Sequence, residues 1–328
     1  MLDKGSFDVV TGGAGFIGSH ICRALLRRGR KVRVIDDLST GNLDNIRDIQ
    51  EQFADSFEFI QLDIRDRDRL RKGLEGATTI YHQAAIPSVQ RSIEDPIRSN
   101  SVNVDGTVGL MVAAREVGVK RFIYASSSSV YGESETLPKT ESIAPNPISP
   151  YAVSKYVTEL YAGVFERLYG LGAVGLRYFN VFGPHQDPTS DYAAVIPRFI
   201  TRMLAGKPPV IFGDGEQSRD FTFVENAVWA NLKAADSDAG GIVLNVACGE
   251  RYSLNTLVEM LNEILGTSFD PIYEDPRPGD IRHSLADIGR AEGMIGYRVE
   301  VNFREGLRRT VEWFQKQLLE SQEKTGKG

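Results

Sequence analysis

Cysteine and histidine are scarce in this chain, with only 2 and 4 among 328 residues. Cys22 falls within a helical pattern and Cys248 in a late apolar run, so two buried free thiols are expected rather than a disulfide. His20, His82, His185 and His283 show no metal-ligand spacing with one another or with the cysteines, and no metal site is expected. No apolar run approaches the roughly 18 residues of a membrane-spanning helix. A charged-then-apolar leader is also lacking, and the two omissions together predict a cytoplasmic protein. Positive charge is not in excess. A net charge of −6 and a pI near 5.4 give no general attraction to nucleic acid or anionic membrane, so an anionic ligand must be held by local positive groups. Internal repeats and low-complexity segments are missing too.

Hydrophobic residues make up 41% of the chain, ample for a sizeable core in one large or two moderate domains. Short apolar runs recur at Asp8–Thr11, Val32–Ile35, Phe57–Leu62, Thr79–His82, Phe122–Ser126, Val174–Tyr178 and Ile242–Val246. Helical patterns separate most of them, at Phe16–Arg28, Arg67–Leu74, Ile97–Val117 and Tyr151–Tyr169. This alternation predicts an α/β fold, a Rossmann-type doubly wound parallel sheet. After Asn180, Gly183-Pro184, Pro208-Pro209 and Gly213-Asp214-Gly215 punctuate shorter elements, which predicts a smaller C-terminal substrate-binding lobe. Residues 1–180 are assigned to the dinucleotide domain and 181–328 to the lobe, with the Ile242–Val246 strand able to return to the first sheet. The polar stretch Gln317–Gly328 reads as a frayed end.

The chain is organised around Val9-Val10-Thr11-Gly12-Gly13-Ala14-Gly15-Phe16-Ile17-Gly18, where an apolar run turns directly into a glycine-rich corner. The first glycines allow a tight turn and bring bare backbone against a pyrophosphate, while Gly18 lets the following helix sit close to the strand. Gly12, Gly15, Phe16, Ile17 and Gly18 therefore face the cofactor, with the helix N-terminus directed at its phosphates. About 20 residues further on, Asp36 closes the second run, where a carboxylate can accept bonds from the adenosine ribose hydroxyls. A second informative stretch, Tyr124-Ala125-Ser126-Ser127-Ser128-Ser129, is a buried-type strand running into hydroxyls. These would emerge at the carboxyl edge of the sheet, where open parallel sheets bind ligands. Then comes Ser149-Pro150-Tyr151-Ala152-Val153-Ser154-Lys155, with Pro150 set for a helix start and Tyr151 and Lys155 four apart on one face. A free tyrosine titrates at about 10; a neighbouring cation and an oxidised nicotinamide would lower that value and make Tyr151 a competent base.

In this order and at these separations the motifs resemble the extended short-chain dehydrogenase/reductase superfamily, and within it the nucleotide-sugar 4-epimerases. The resemblance extends to Arg177-Tyr178-Phe179-Asn180-Val181-Phe182-Gly183-Pro184, to 213–221 and to 277–284. It implies NAD as a bound cofactor, with Asp63 and Ile64 at the adenine, Gln83, Ala84 and Ala85 as a wall, Asn103 nearby, and Lys155 on the nicotinamide ribose. It implies a uridine-diphosphate sugar as substrate. Ser127 would bond the reacting oxygen, with Ser128 and Ser88 close by, Tyr151 would move the proton, and Asn180 would hold a phosphate or sugar oxygen. Arg219 and Arg277 would clamp the diphosphate. Ala194 and Ser284, both small, would leave room for an N-acetyl group, whereas Pro87 stands where acetyl-accepting members often have glycine. The resemblance further implies a homodimer paired through the helices near 97–117 and 151–169.

Three alternatives stay beside a 4-epimerase of UDP-N-acetylglucosamine or UDP-glucose. A dehydratase of the family carries an Asp-Glu pair after the catalytic hydroxyl, where this chain has Ser128 and Ser129. A uronic-acid epimerase or decarboxylase is compatible with the same motifs. A non-catalytic dinucleotide-binding scaffold would tend to lose Tyr151 or Lys155, and both are present.

Overall fold

The computed structural model describes residues 6–188, 194–276 and 281–325. Its centre is a parallel sheet of seven strands: β1 (Phe7–Thr11), β2 (Val32–Asp36), β3 (Phe57–Gln61), β4 (Ala77–His82), β5 (Arg121–Ser127), β6 (Gly172–Tyr178) and β7 (Ile242–Val246). Their spatial order is β7-β6-β5-β4-β1-β2-β3, every pair parallel. The chain winds outward from β1 in one direction, then returns and winds in the other. The reversal falls between β1 and β4, the crevice in which such sheets bind ligands.

Strands β1 and β2 are buried along their whole length, as a sheet covered on both faces requires. Alternation assigns their side chains to two cores. Val10, Val32 and Val34 pack with α1 (Phe16–Arg27), while Phe7, Val9 and Ile35 pack on the opposite face with Leu110, Met111 and Phe165. Leu110 and Met111 belong to α2 (Thr107–Glu116), and Phe165 to α3 (Pro150–Tyr169). On the first face α1 is joined by α4 (Val224–Asp236), through Ala227, Val228 and Leu232. A third core, built on Phe182, Phe199, Phe221, Phe223, Leu257, Phe303 and Leu307, forms the lobe, and α5 (Phe303–Thr325) runs along it. The chain leaves the sheet after β6, contributes to this lobe, then comes back through α4 to lay β7 beside β6. Among the described residues no helix is long and apolar enough to cross a membrane.

Two elements depart from their sequence patterns. The run Ile97–Val117 was expected as one α-helix; it is a helical course of three parts, Pro96–Asn100, a π-helical turn at Ser101–Gly106, and α2. The physical reason lies at Asn103. Its side chain is engaged by both backbone groups of Ile86, at 2.8 and 3.3 Å, and Thr107 Oγ1 donates to its carbonyl at 2.7 Å. Side-chain bonds of this kind compete with the regular ladder and widen the turn. The C-terminal stretch expected to fray instead continues α5 to Thr325, with Lys316 and Glu320 paired one turn apart at 3.7 Å.

Helix α3 is tied to the sheet by a buried ion pair. Arg177 on β6 donates to both oxygens of Glu159 at 2.8 and 2.7 Å, and Ser126 on β5 donates to Glu159 Oε1 at 2.5 Å. The side chains are only 3% and 5% exposed. Removing one partner of such a pair strands the other charge in a dry site. Glu159→Ala should therefore lower unfolding free energy by about 3–5 kcal/mol, measured by urea denaturation; a loss below about 1 kcal/mol would mean that water reaches Arg177.

Candidate active site

The cofactor cradle begins where β1 ends. Gly12 has φ +67°, and a Cβ there would lie 2.6 Å from the backbone nitrogen of Ala84, so the corner is pressed against the exit of β4. A Cβ on Gly18 would run into the Gly12 carbonyl, which lets α1 start tight against the corner. No side chain caps the first turn of α1, leaving a phosphate-sized anion as the natural partner of its N–H groups. At the end of β2 the Asp36 carboxylate accepts from the Ala14 and Leu38 backbone N–H groups, both at 2.9 Å. Burial pushes its pKa up, and those two N–H bonds oppose the rise. A glycine cradle, an uncapped helix start and a fixed carboxylate fit a dinucleotide.

One cavity of about 880 Å³ runs from this cradle along the carboxyl edge of the sheet. It brings together Gly12, Gly15, Phe16, Ile17, Gly18, Asp36, Asp63 and Ile64 with the wall Gln83, Ala84 and Ala85. Ser88, Ser127, Tyr151, Lys155, Asn180 and Ala194 line the same space. Ser127 ends β5, and its Oγ accepts from the Ser129 N–H at 3.1 Å. Tyr151 and Lys155 come from the first turns of α3, which Ser149 caps by accepting from Ala152 N–H at 3.1 Å.

Burial lowers the Lys155 ammonium to about 8; it donates to the Ala125 carbonyl at 2.8 Å and stands 5.7 Å from the centre of the Tyr151 ring. For Tyr151 the protein by itself does not supply the lowering expected from Lys155 together with an oxidised nicotinamide. The phenol's pKa is raised by burial, with a hydrogen bond from Ser127 acting the other way. At this distance, and already bonded to a carbonyl, Lys155 does not offset the loss of water around the phenol.

Other assignments move as well. Asn103 stands behind the wall rather than in it, 2% exposed, holding Ile86 and donating to Ser154 Oγ at 3.1 Å. Among the described residues, Ser128, Arg219 and Ser284 do not line the cavity. Arg219 Nη1 donates to the carbonyls of Ser218 and Arg282 at 3.0 and 3.1 Å, and the Ser284 N–H donates to the Ser218 carbonyl at 3.0 Å. Arg277 lies outside the described residues. The sequence reading missed Arg91, Tyr178, Asn45, His185 and Trp313, all of which line the cavity. Only Tyr178 belongs to a sequence motif, the segment Arg177–Pro184; the others come from loops and helices with no spacing signal.

A chain of hydrogen bonds runs beneath the cavity. Thr11 Oγ1 meets His82 Nδ1 at 2.7 Å, His82 Nε2 meets Thr107 Oγ1 at 2.8 Å, and Thr107 donates to the Asn103 carbonyl. Since that carbonyl only accepts, Thr107 must accept from His82 Nε2–H, so His82 Nδ1 accepts from Thr11. Burial, helped by the charge of Lys155, takes His82 down to about 3, and the ring is neutral. The chain ends on α3, where Ser154 Oγ donates to the Tyr151 carbonyl at 2.7 Å and Ser92 Oγ accepts from the Tyr151 N–H at 3.0 Å.

A glycine cradle, an acidic ribose partner and Tyr-x-x-x-Lys at the switch point of a doubly wound sheet, with an added lobe, define the extended short-chain dehydrogenase/reductase class. Residues 9–247 match the NAD dependent epimerase/dehydratase family, and the chain belongs to it. A UDP-glucose 4-epimerase of Mycolicibacterium smegmatis is 39% identical over 308 residues, covering 93% of this chain and 97% of its own length. The solved UDP-N-acetylglucosamine 4-epimerase of Methanobrevibacter ruminantium, in complex with UDP-N-acetylmuramic acid, superposes with a TM-score of 0.90 at 45% identity, covering 97% and 100%. The UDP-glucuronic acid 4-epimerase of Bacillus cereus, solved with UDP-glucuronic acid and NAD, gives 0.87 at 34% identity, covering 94% and 99%.

Asp36 lines the cavity at the end of β2, and if it receives the adenosine ribose of the cofactor, a 2′-phosphate would meet like charge there. Calorimetry on the cofactor-stripped protein should show NAD bound at least about tenfold tighter than NADP, and equal affinities would remove Asp36 from this role.

Proposed function

We propose that the protein is a UDP-sugar 4-epimerase that works through a transient 4-keto sugar. The observation that carries this reading is the meeting of Ser127, Tyr151 and Lys155 in the same cavity as the glycine cradle. Gly12, Gly15, Gly18 and Asp36 hold the NAD. When bound, it accepts a hydride from sugar carbon 4 and gives it back. Ser127 holds the reacting oxygen, Tyr151 Oη takes the proton from the 4-hydroxyl and returns it, and the cation of Lys155 favours the phenolate. Similarity to the three 4-epimerases above supports the reaction class, and turnover of the sugar within the site makes net redox change zero.

Within that class we favour the acetylated pair UDP-N-acetylglucosamine and UDP-N-acetylgalactosamine, with the plain hexoses UDP-glucose and UDP-galactose also accepted. Ala194 on the cavity wall supports room for the acetyl group, as does similarity to the Methanobrevibacter enzyme. Ser284, offered for the same wall from sequence, gives no support from its position. A uronic-acid epimerase is the second reading, favoured by Arg91, a cationic residue among those that line the cavity. A homodimer is proposed from the apolar residues that α3 and the preceding helix expose, Ile97 at 82%, Leu160 at 53% and Leu168 at 67%. A cytoplasmic location accords with the NAD chemistry.

Chromatographic resolution of products from a panel of UDP-sugars tests the assignment. Both acetylated sugars should interconvert; turnover of UDP-glucuronic acid alone would put the second reading first. Tyr151→Phe should cut the rate roughly 10²–10⁴-fold while NAD stays bound, and retention of most activity would refute the proton role. Burial holds Lys155 near 8, so its charge is present below that pH and lost above it. The pH profile should therefore decline as pH rises through about 8, and a rate level up to about pH 10 would show that the charge is not needed.

A further inference from the structure

Beside the glycine corner, four rings form a row that the epimerase chemistry does not use. Phe16 meets His20 edge-on with centroids 6.0 Å apart, His20 meets His185 at 5.3 Å, and His185 meets Trp313 at 5.1 Å. The first belongs to the start of α1, the last to α5 of the lobe. Phe16, His185 and Trp313 line the cofactor cavity together with Asn45.

Polar bonds fix the row. His20 Nε2 donates to the Pro184 carbonyl at 2.9 Å, which sets its tautomer. Asn45 Nδ2 donates to the Ala14 carbonyl at 2.9 Å, so its Oδ1 must be the atom facing His185 Nδ1 at 3.1 Å, and His185 is the donor. Ala14 is the corner residue whose N–H binds Asp36. His185 keeps its ring in this position with φ +66°, a left-handed backbone uncommon for a residue with a side chain. Burial leaves both histidines uncharged, His20 near 3 and His185 near 4. At the far end, Val311 and Phe314 of α5 are buried in the lobe's core, so Trp313 is carried by a firmly docked helix.

We propose that Trp313, held by His185 and through Asn45 by the glycine corner, is a cofactor-retention residue: it closes the dinucleotide cleft beside Ala14 and slows the departure of NAD. The position suits an enzyme that returns its cofactor to the starting oxidation state at every turnover and gains nothing by releasing it. Trp313 acts on residence, not on hydride or proton movement, and it links the lobe to the dinucleotide domain.

The test uses the full chain loaded with NAD, diluted into a coupled dehydrogenase that reduces free NAD and so reports its release by absorbance. Trp313→Ala and His185→Ala should each speed release by roughly three- to tenfold, the range set by an aromatic contact with an attendant hydrogen bond. The double variant should be little faster than either, because the two residues act as one unit. Trp313→Phe should restore slow release. Adding NAD to saturation should recover a larger share of the rate in the alanine variants than in the wild type, the mark of lost retention rather than of a slowed chemical step. Leu319→Ala, on the exposed side of the same helix at 61% exposure, is the control and should leave release unchanged. Unchanged release in both alanine variants overturns the proposal, and so does equal acceleration by Leu319→Ala, which would mean general loosening of α5. Should an alanine variant fail to fold, Asn45→Ser removes the side-chain bonds both to His185 and to the Ala14 carbonyl, the two links of the latch to the glycine corner, and must still hasten release; a wild-type rate for it refutes the latch. Since NAD release is read with no sugar present, the outcome is independent of the proposed substrate.

Discussion

A carboxylate and a guanidinium shut away from water, Glu159 and Arg177, hold α3 to the sheet, and the rest of the site depends on that attachment. Glu159 lies two turns beyond Tyr151 and one beyond Lys155 on α3. Its oxygens are taken by Arg177 on β6 and Ser126 on β5. Ser126 immediately precedes Ser127, so the same carboxylate fixes both the strand that presents the hydroxyl and the helix that presents the phenol. An apolar contact would bind the helix as well, but it would not set its rotation or its height. A bidentate bond does both, because its geometry tolerates little sliding. Desolvation is the cost, and it leaves the pair intolerant of losing either member.

The second constraint is the chain Thr11–His82–Thr107–Asn103, which crosses under the cavity from the cofactor strand towards α3. Each hydroxyl and the ring both donate and accept, so the donors point one way and each bond polarises the next. Asn103 then reaches Ile86 and Ser154, and thereby sets the wall loop and the Tyr151 turn at once. The π turn at Ser101–Gly106 follows from these demands on one side chain. Epimerisation needs the proton acceptor and the cofactor held in fixed relation through two opposite hydride transfers. A site tied at both ends to one rigid sheet meets that need.

Tyr151 shows how the protein and its cofactor divide the electrostatic task. Alone, the protein raises the phenol's pKa through burial, and Ser127 offsets only part of the rise. Lys155 keeps its proton near neutral pH but spends one bond on the Ala125 carbonyl. In the proposed mechanism the remaining lowering would come from the positive charge of a bound oxidised nicotinamide, so that Tyr151 would act as a base only where a hydride acceptor is held.

Much of this was legible from local pattern. Short continuous apolar runs located the seven sheet strands to within about two residues, because a buried parallel strand must be apolar on both faces. Gly12, Gly18 and Asp36 were readable because their roles are imposed by backbone geometry within one strand–turn–helix unit. Tyr151 and Lys155 were readable because one turn of helix fixes their separation. Neither the shift of the Tyr151 phenol nor the place of Asn103 could be read that way, since both depend on what packs against them from β5 and the Ile86 loop. Arg91, His185 and Trp313 were silent in sequence; Arg91 reaches the cavity from the short helix Val89–Glu94 that follows β4, and His185 and Trp313 reach it because the lobe docks α5 and the Pro184 loop against α1. Short-range geometry is written in spacing along the chain, so the sequence alone determined the strands, the cradle and the Tyr-Lys pair. Burial and contacts between distant segments exist only once the chain has closed on itself, and the tertiary structure alone decided the direction of the pKa shifts, the buried tether at Glu159 and the cavity wall of His185 and Trp313.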